Sequence, residues 1–196
     1  RKPYLDTGSS GLPMLLKYLV EDAERADLLF DCLNRTERPG YGYFLSQGAT
    51  TWPEYWNMDH DSQIHTCYTG ISGVFTKAIG GIRPDPEAWG MKQCIIKPQL
   101  VGDLTWANTT SGTYYGEIVS NWKRDGSVAT FKIELPVNTT AKVFIPASTV
   151  EDVKESGRPT TDAAGVTYLG KNGVYQVFRV ESGSYEFTSM SAPAVK

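Results

Sequence analysis

Hydrophobic residues in the first eighty positions recur with the 3.6-residue period of an α-helix. One apolar stripe has the spacing i, i+3, i+4, i+7: Leu12, Leu15, Leu16 and Leu19. A second helix is predicted through the segment AERADLLFDCL. A third stripe is made of Ile64, Tyr68, Ile71, Phe75 and Ala78 or Ile79. We therefore expect a helical segment over about residues 8–80, with Ser9 or Ser10 capping its first helix.

The pattern changes beyond the proline- and glycine-rich segment GGIRPDPEAWG, where short runs become rich in β-branched and aromatic residues. The runs YYGEIVSNWK and VATFKIELP flank an Asp125-Gly126 turn, which is typical of a β-hairpin. Several such runs separated by turn residues predict an antiparallel β-sandwich over about residues 92–188. Trp89, Trp106 and Trp122 fall in or beside these strands. We expect them in the sandwich core, the alternative being that one is an exposed platform for a sugar.

Helices followed by strands indicate the α+β class with two segregated units. The apolar stripes of the helices need partners, and few are present in the chain itself. They pack either on the β-unit or on further helices of a larger helical domain, and we favour the second. The chain opens RKPYLDTG without an initiator Met, so we expect a piece of a longer protein.

Composition excludes some classes of function. The 196 residues are 40% hydrophobic and 21% charged, with a formal net charge of −3. These values are ordinary for a globular protein and give no basic footprint for nucleic acid or for an anionic membrane surface. The three cysteines lack metal-type spacing, and we expect each to be a buried thiol.

The segment GATTWPEYW places one carboxylate among large aromatic side chains. Glu54 is accompanied by Trp52, Tyr55 and Trp56, and His65 follows at the start of the third predicted helix. Aromatic faces stack on the C–H surface of sugars, and glycoside hydrolysis requires carboxyl groups as acid and base. The residues alone also allow a plainer interpretation, in which the tryptophans are core aromatics and Glu54 is a loop acid bonded to a backbone amide.

The neighbouring segment NMDHDSQIH invites a metal hypothesis. It holds Asp59, His60, Asp61 and His65, but it lacks a second ligand pair elsewhere in the chain. A solvated loop, or a helix cap at Asp61 or Ser62, explains these residues better. We expect no metal and no cofactor.

Four segments occur in an order that resembles the C-terminal part of bacterial α-L-rhamnosidases, which are inverting glycoside hydrolases with an (α/α)₆ barrel. They are YLDTG, GYGYFLSQGATTWPEYWN, DSQIHTCYTGISGVFTKAIGGIRPDPEAWGMKQCIIKPQ and YGEIVSNWKRDG. The resemblance implies that residues 1–83 are the closing helices and active-site loop of the barrel. It implies that residues 84–196 are the C-terminal antiparallel β-sandwich.

The resemblance also implies roles for single residues. The glutamate of the motif G-A-T-T-x-x-E-x-W falls on Glu54, which would be the catalytic general base. His65, Trp52 and Trp56 would contact the substrate, a rhamnose-containing glycoside or polysaccharide. Pro53 stands where the family usually has tryptophan, and the connection from Glu54 to His65 is short, so we expect a different pocket rim.

The general acid of the family lies N-terminal to the matched region. The resemblance therefore implies that the N-terminal remainder of the same protein is the partner of this chain, and that the chain alone is inactive. For the cellular location of the protein, the periplasm or the cell exterior is favoured. The alternative functions are a non-catalytic carbohydrate-binding or accessory module, and a purely structural α+β domain.

Overall fold

The computed structural model describes residues 4–59 and 62–192. Two compact units follow one another along the chain, and the boundary lies between Phe75 and Thr76. The first unit is helical and the second is built of β-strands, so the predicted α+β order is confirmed. Among the described residues, no helix has the length and apolar character needed to cross a membrane.

The helical unit consists of short helices joined by loops. Their bounds are α1 Leu12–Lys17, α2 Ala26–Asn34, α3 Tyr41–Ser46, α4 Thr66–Thr69 and α5 Ser72–Val74. A π-helical turn follows α1 at Tyr18–Asp22, and a second follows α5 at Phe75–Ile79 and continues across the boundary into the next unit. The helix α3 was not predicted, because its YGYFLS sequence follows proline and glycine.

The first apolar stripe is buried as its spacing predicts. Leu12, Leu16 and Leu19 are each at most 5% exposed. The predicted serine cap is wrong, because the helix begins after Gly11 and no side chain caps it. The carbonyl of Gly8 accepts hydrogen bonds from the N–H groups of Gly11 and Leu12, at 3.0 and 3.1 Å, and this turn does the work of a cap.

The third helical stripe is shorter than predicted. The helix α4 begins at Thr66, and the preceding His65 is extended, with φ −127° and ψ 115°. Ile64 therefore lies outside the helix and is 72% exposed, while Phe75 is 51% exposed. The remaining members of the stripe are buried: Tyr68, Ile71, Ala78 and Ile79.

The β-unit contains two sheets. The strands of the five-stranded sheet, in spatial order, are β1 Ile82–Pro84, β2 Gln93–Ile96, β6 Thr140–Pro146, β10 Tyr175–Val180 and β9 Val166–Asn172. Those of the six-stranded sheet are β3 Trp106–Thr113, β4 Gly116–Asp125, β5 Val128–Leu135, β11 Gly183–Ser189, β7 Val153–Glu155 and β8 Arg158–Pro159. Antiparallel pairing prevails as predicted, and β2 and β6 form a parallel pair.

Alternation along the strands decides which tryptophan reaches the core. Trp122 on β4 is 2% exposed, and its Nε1–H donates to the carbonyl of Ile79 at 2.8 Å. Trp106, the first residue of β3, has the outward phase and is 60% exposed. Trp89, in the turn before β2, is 93% exposed. The prediction of a core position is therefore correct for Trp122 and wrong for the other two.

Two consecutive glycines lie where β1 begins. A Cβ on Gly80 would collide with the side chain of Thr109, and one on Gly81 would collide with the backbone of Lys97 and Pro98. Gly81 also has φ +76°, a left-handed conformation that side chains disfavour. The pair therefore allows close approach of backbone segments inside the β-unit.

The three cysteines are free thiols, and burial differs among them. Cys32 and Cys94 are buried as expected, whereas Cys67 is only half-buried. Burial raises the pKa of the Cys94 thiol to about 12 and also raises the pKa of Cys32. Both buried thiols therefore stay protonated and unreactive at neutral pH.

Candidate active site

The loop of residues 47–65 carries the sequence-predicted site residues. It starts where α3 ends, and Gly48, with φ +78°, turns the chain out of the helix. The N–H of Ala49 donates to the carbonyl of Phe44 at 3.0 Å and closes the last helical turn. The GAT of the motif thus ends a helix, and the glycine is required by the backbone.

Three hydrogen bonds join the two arms of this loop in an antiparallel manner. The N–H of His65 donates to the carbonyl of Trp52 at 2.8 Å, and the N–H of Glu54 donates to the carbonyl of Ser62 at 3.1 Å. The hydroxyl of Thr51 donates to the carbonyl of Gln63. These bonds fix the backbone on both sides of Glu54, although the loop is irregular.

An aromatic cluster supports the loop. Trp56 lies parallel to Phe44, with centroids 5.2 Å apart and an interplanar angle of 14°, and meets Tyr68 edge-on at 4.8 Å. Trp52 meets Tyr41 edge-on at 5.2 Å. These distances and angles are the favourable ones for aromatic pairs. These packed rings support the loop, and we call them the aromatic floor: Tyr41, Phe44, Trp52, Trp56 and Tyr68.

The two tryptophans differ in their access to solvent. Trp56 is 8% exposed and largely belongs to the aromatic core, whereas Trp52 is half-buried. The indole Nε1 of Trp56 is buried and has no hydrogen-bond partner within the described residues. Trp52 therefore has more surface to offer a ligand, whereas the buried Nε1–H of Trp56 presents none.

The hydroxyl of Tyr41 anchors this floor to α4. It donates to the carbonyl of Tyr68 at 2.8 Å, and Tyr41 is 1% exposed. Burial raises the pKa of Tyr41 far above its ordinary value. The phenol is therefore a fixed hydrogen-bond donor and takes no part in proton transfer.

Two carboxylates act on the Tyr68 hydroxyl. Burial, and to a smaller extent the charges of Cys67, Asp6, Tyr55 and Glu54, together raise the pKa of Tyr68 to about 12. Asp6 and Glu54 are thus both within electrostatic range of one phenol, although they are far apart in sequence. Glu54 itself is half-buried. The structure places two acids and two phenols in the same region of the helical unit.

A cavity of about 380 Å³ opens beside this region. Its lining is Asp6, Arg38, Pro39, Tyr55, Trp56 and Asn57. The volume is within the range of small-ligand sites. Among the described residues, Glu54, Trp52 and His65 do not line it, so Trp56 is the one predicted substrate contact that does. Asp6 precedes α1 in the chain but does not cap it, because α1 lacks a side-chain cap.

The imidazole of His65 is held by its own loop. Ser62 Oγ lies 3.2 Å from His65 Nδ1, and the His65 ring is half-buried. His60 and Asp61 lie outside the described residues. Within the described residues, no cluster of His, Cys, Asp and Glu has the arrangement of a metal site. His65 is therefore positioned as a hydrogen-bonding group.

Sequence reasoning missed part of this lining. Arg38 and Asn57 gave no signal, because each is a polar residue in a turn and nothing in its spacing joins it to Glu54. Tyr68 was placed on a helix stripe as core, which its burial confirms, but the spacing gave no sign that Asp6 and Glu54 act on its pKa. Only the fold brings α3, α4 and the loop together.

Comparison with known proteins assigns both units. Residues 1–79 match the bacterial alpha-L-rhamnosidase 6 hairpin glycosidase domain, and residues 81–159 match the bacterial alpha-L-rhamnosidase C-terminal domain. A curated alpha-L-rhamnosidase of Formosa agariphila is 30% identical over 194 residues, which are 94% of this chain and 21% of that protein. One from Alteromonas sp. is 31% identical over 185 residues, 88% of this chain and 19% of that protein.

Solved structures give the same result. The alpha-L-rhamnosidase of Streptomyces avermitilis, complexed with L-rhamnose, has a TM-score of 0.81 and 28% identity, covering 94% of this chain and 18% of that one. The enzyme of Dictyoglumus thermophilum has a TM-score of 0.80 and 28% identity, covering 95% of this chain and 21% of that one. The chain spans about a fifth of the length of these relatives. It combines closing helices of a helical barrel with a β-sandwich, and it belongs to the bacterial α-L-rhamnosidase family.

Proposed function

We propose that this chain is the part of an inverting α-L-rhamnosidase that supplies the general base, Glu54, and that the complete protein hydrolyses terminal α-L-rhamnose from glycosides or polysaccharides. The observation that carries the proposal is the loop pairing around Glu54. The bonds from Glu54 to Ser62 and from His65 to Trp52 fix the glutamate backbone above the aromatic floor. A half-buried carboxylate on a backbone held in this way is suited to act on a water molecule as a base.

The chemistry of an inverting hydrolysis defines the step in which Glu54 would act. The base removes a proton from water as the water oxygen attacks the anomeric carbon, and an acid protonates the departing glycosidic oxygen. The two carboxyl groups lie about 6.5–9.5 Å apart in such enzymes, which leaves room for the water. Glu54 would take the proton of the water, and the acid would come from the N-terminal remainder of the protein.

The neighbouring side chains would hold the sugar. The half-buried indole of Trp52 offers an apolar face for the C–H surface and the methyl group of rhamnose. The imidazole of His65, oriented by Ser62, would bond a ring hydroxyl. Trp56 and Asp6 line the adjacent cavity, where the Asp6 carboxylate would supply an acceptor for a further hydroxyl.

The surface of the helical unit supports a role within a larger barrel. Large apolar side chains of this unit are exposed: Met14, Tyr18, Leu45, Ile64 and Phe75. Exposed apolar side chains at this density mark surfaces that other elements cover. The remaining helices of a six-hairpin barrel are the natural partners for them, in agreement with the matched family domain.

The stereochemistry of the product tests the proposal. The full-length protein is mixed with an aryl α-L-rhamnoside, and the anomeric proton of the first sugar released is followed by NMR before mutarotation. We expect the β-anomer. Initial release of the α-anomer would contradict the assignment of Glu54 as a base, and absence of hydrolysis with retained sugar binding would favour the non-catalytic accessory module.

A further inference from the structure

The outer face of the six-stranded sheet carries two adjacent rows of polar and aromatic side chains. Register places Trp106 of β3 opposite Lys123 of β4, and Lys123 opposite Thr130 of β5. In the next row, Asn108, Asn121, Lys132 and Glu186 face one another across β3, β4, β5 and β11. Directly opposed side chains in such a sheet have Cβ atoms about 4.5–5.5 Å apart, so each row is continuous.

These two rows border a groove of about 620 Å³, which we call the sheet groove. Its outward-facing lining is Trp106, Asn108, Asn121, Lys123, Thr130, Lys132 and Glu186. The volume lies in the range of small-molecule and sugar sites, which is about 300–1,000 Å³. The groove belongs wholly to the β-unit and is separate from the loop that holds Glu54.

Trp106 gives this groove an apolar platform. Its indole is 60% exposed, whereas Trp122 on the next strand is turned into the core. A tryptophan left in water at the edge of a polar groove forgoes the stabilisation of burial, which amounts to about 25 cal/mol for each Å² of apolar surface. A pyranose ring laid on the indole would cover that surface with its C–H face.

The polar row is arranged to meet hydroxyl groups. Asn121 Oδ1 accepts a hydrogen bond from the N–H of Thr109 at 2.9 Å, which fixes the amide and leaves its NH₂ as a donor. Lys132 and Glu186 form an ion pair at 3.2 Å. The amides of Asn108 and Asn121 and the carboxylate of Glu186 together offer donors and acceptors on one flat surface.

The charge of the sheet groove favours acidic sugars over neutral ones. Lys132 is balanced by Glu186, whereas Lys123 makes no ion pair with any described residue. The groove therefore has one uncompensated positive charge, in a chain whose net charge is −3. Lys123 of β4 is paired directly with Trp106 of β3 in the strand register. A carboxylate on a sugar that stacks on the indole would reach the Lys123 ammonium.

We propose that the sheet groove is a non-catalytic binding site for an acidic glycan. A uronate residue would stack on Trp106 and place its carboxylate on Lys123, with its hydroxyls on Asn108 and Asn121. The remaining sugar rings of the glycan would extend along the sheet groove. This site would tether a charged polysaccharide and does not depend on the hydrolytic role of Glu54.

Calorimetric titration of the 196-residue chain with tetragalacturonate tests this site. We expect binding that weakens about tenfold in Trp106→Ala and about tenfold in Lys123→Gln, since each change removes a contact of roughly 1–2 kcal/mol. The fully methyl-esterified tetramer, in which each carboxylate is replaced by a neutral ester, should bind about tenfold more weakly to the unaltered chain. Trp89→Ala, which removes another exposed tryptophan of the β-unit, should bind like the unaltered chain.

Each contrary result overturns the proposal. Absence of binding at millimolar tetragalacturonate, equal affinity for the methyl ester, or an equal loss in Trp89→Ala would each contradict it. Lys123→Gln changes an exposed side chain and keeps the test valid if Trp106→Ala fails to fold. Glu54→Gln should leave this affinity unchanged, so failure of this proposal is distinguishable from failure of the proposed hydrolysis.

Discussion

The backbone N–H of His65 donates to the carbonyl of Trp52 at 2.8 Å, thirteen residues earlier in the chain. This bond closes the loop that contains Glu54, and it is made by backbone atoms alone. The side chain of His65 therefore takes no part in this bond. Its imidazole can bind the ligand without destabilising the loop.

Replacement of His65 by alanine tests this separation. We expect His65→Ala to weaken rhamnose binding by up to about tenfold, because it removes one hydrogen bond of roughly 1 kcal/mol and leaves the backbone bond in place. The apparent unfolding temperature should be unchanged. Ser62→Ala, which removes the contact to Nδ1, should give a smaller loss of affinity. The measurements are calorimetric titration with L-rhamnose and thermal unfolding, and a large drop in unfolding temperature in His65→Ala would contradict the separation.

The anchor between Tyr41 and Tyr68 makes a second prediction. Tyr41→Phe removes the buried hydroxyl that donates to the Tyr68 carbonyl and keeps the ring in the aromatic cluster. We expect a loss of about 1 kcal/mol in the free energy of unfolding, measured by denaturant titration with tryptophan fluorescence. Tyr18→Phe, a change at an exposed tyrosine of the same unit, is the matched control and should have no effect.

The buried position of Trp122 in the β-unit leads to a third prediction. Trp122→Phe removes the Nε1–H bond to the Ile79 carbonyl and part of a buried ring, so we expect a loss of about 2–3 kcal/mol. Trp89→Phe changes a 93% exposed side chain and should cost almost nothing. Equal effects of the two substitutions on denaturant unfolding would show that Trp122 has been placed wrongly in the core.

These contrasts also show what the sequence could predict. The stripe of Leu12, Leu16 and Leu19 followed from helical period, since burial of an amphipathic face depends on spacing alone. The hairpin around Asp125-Gly126 followed from its turn residues. Strand β3 was missed because its WANTTSGT sequence has few β-branched apolar residues, and its alternation sends Trp106 outwards.

The sequence predicted single residues of the candidate site but not the contacts between them. The GATTWPEYW motif pointed to Glu54, but the carbonyls of Ser62 and Trp52 that pair the loop have no side-chain signature. Asp6 lies 48 residues before Glu54 in the chain, and only folding places it in one cavity with Trp56. Contacts made through backbone atoms, or between distant segments, are set by tertiary structure.

The ion pair between Asp85 and Lys142 makes a prediction on pH. Burial alone would raise the pKa of Asp85, but the ammonium of Lys142 at 2.9 Å and the N–H of Glu87 hold it below its ordinary value. The pair therefore stabilises the fold above the unfolded pKa of an aspartate, about 3.9, and this stability is lost as pH falls through the lower folded pKa.

Denaturant titrations between pH 7 and pH 2 measure this dependence. We expect Asp85→Asn and Lys142→Met to be less stable than the unaltered chain at pH 7, and the difference should shrink as pH falls below about 4. Lys154→Met, at a lysine on another strand of the β-unit, is the control. A difference that stays constant down to pH 2 would contradict the assignment of Asp85 as the ionised partner.

The role of Glu54 as the general base is tested by the turnover of Glu54→Gln in the full-length protein. Glutamine keeps the size of the side chain and its backbone bond to Ser62 but cannot accept the proton of water. The account predicts that kcat for an aryl α-L-rhamnoside falls by about 10²–10⁴-fold while rhamnose binding is nearly unchanged. Glu37→Gln, at an exposed glutamate of the same unit, should keep full turnover. Near-normal turnover in Glu54→Gln would contradict the role of Glu54 as the base.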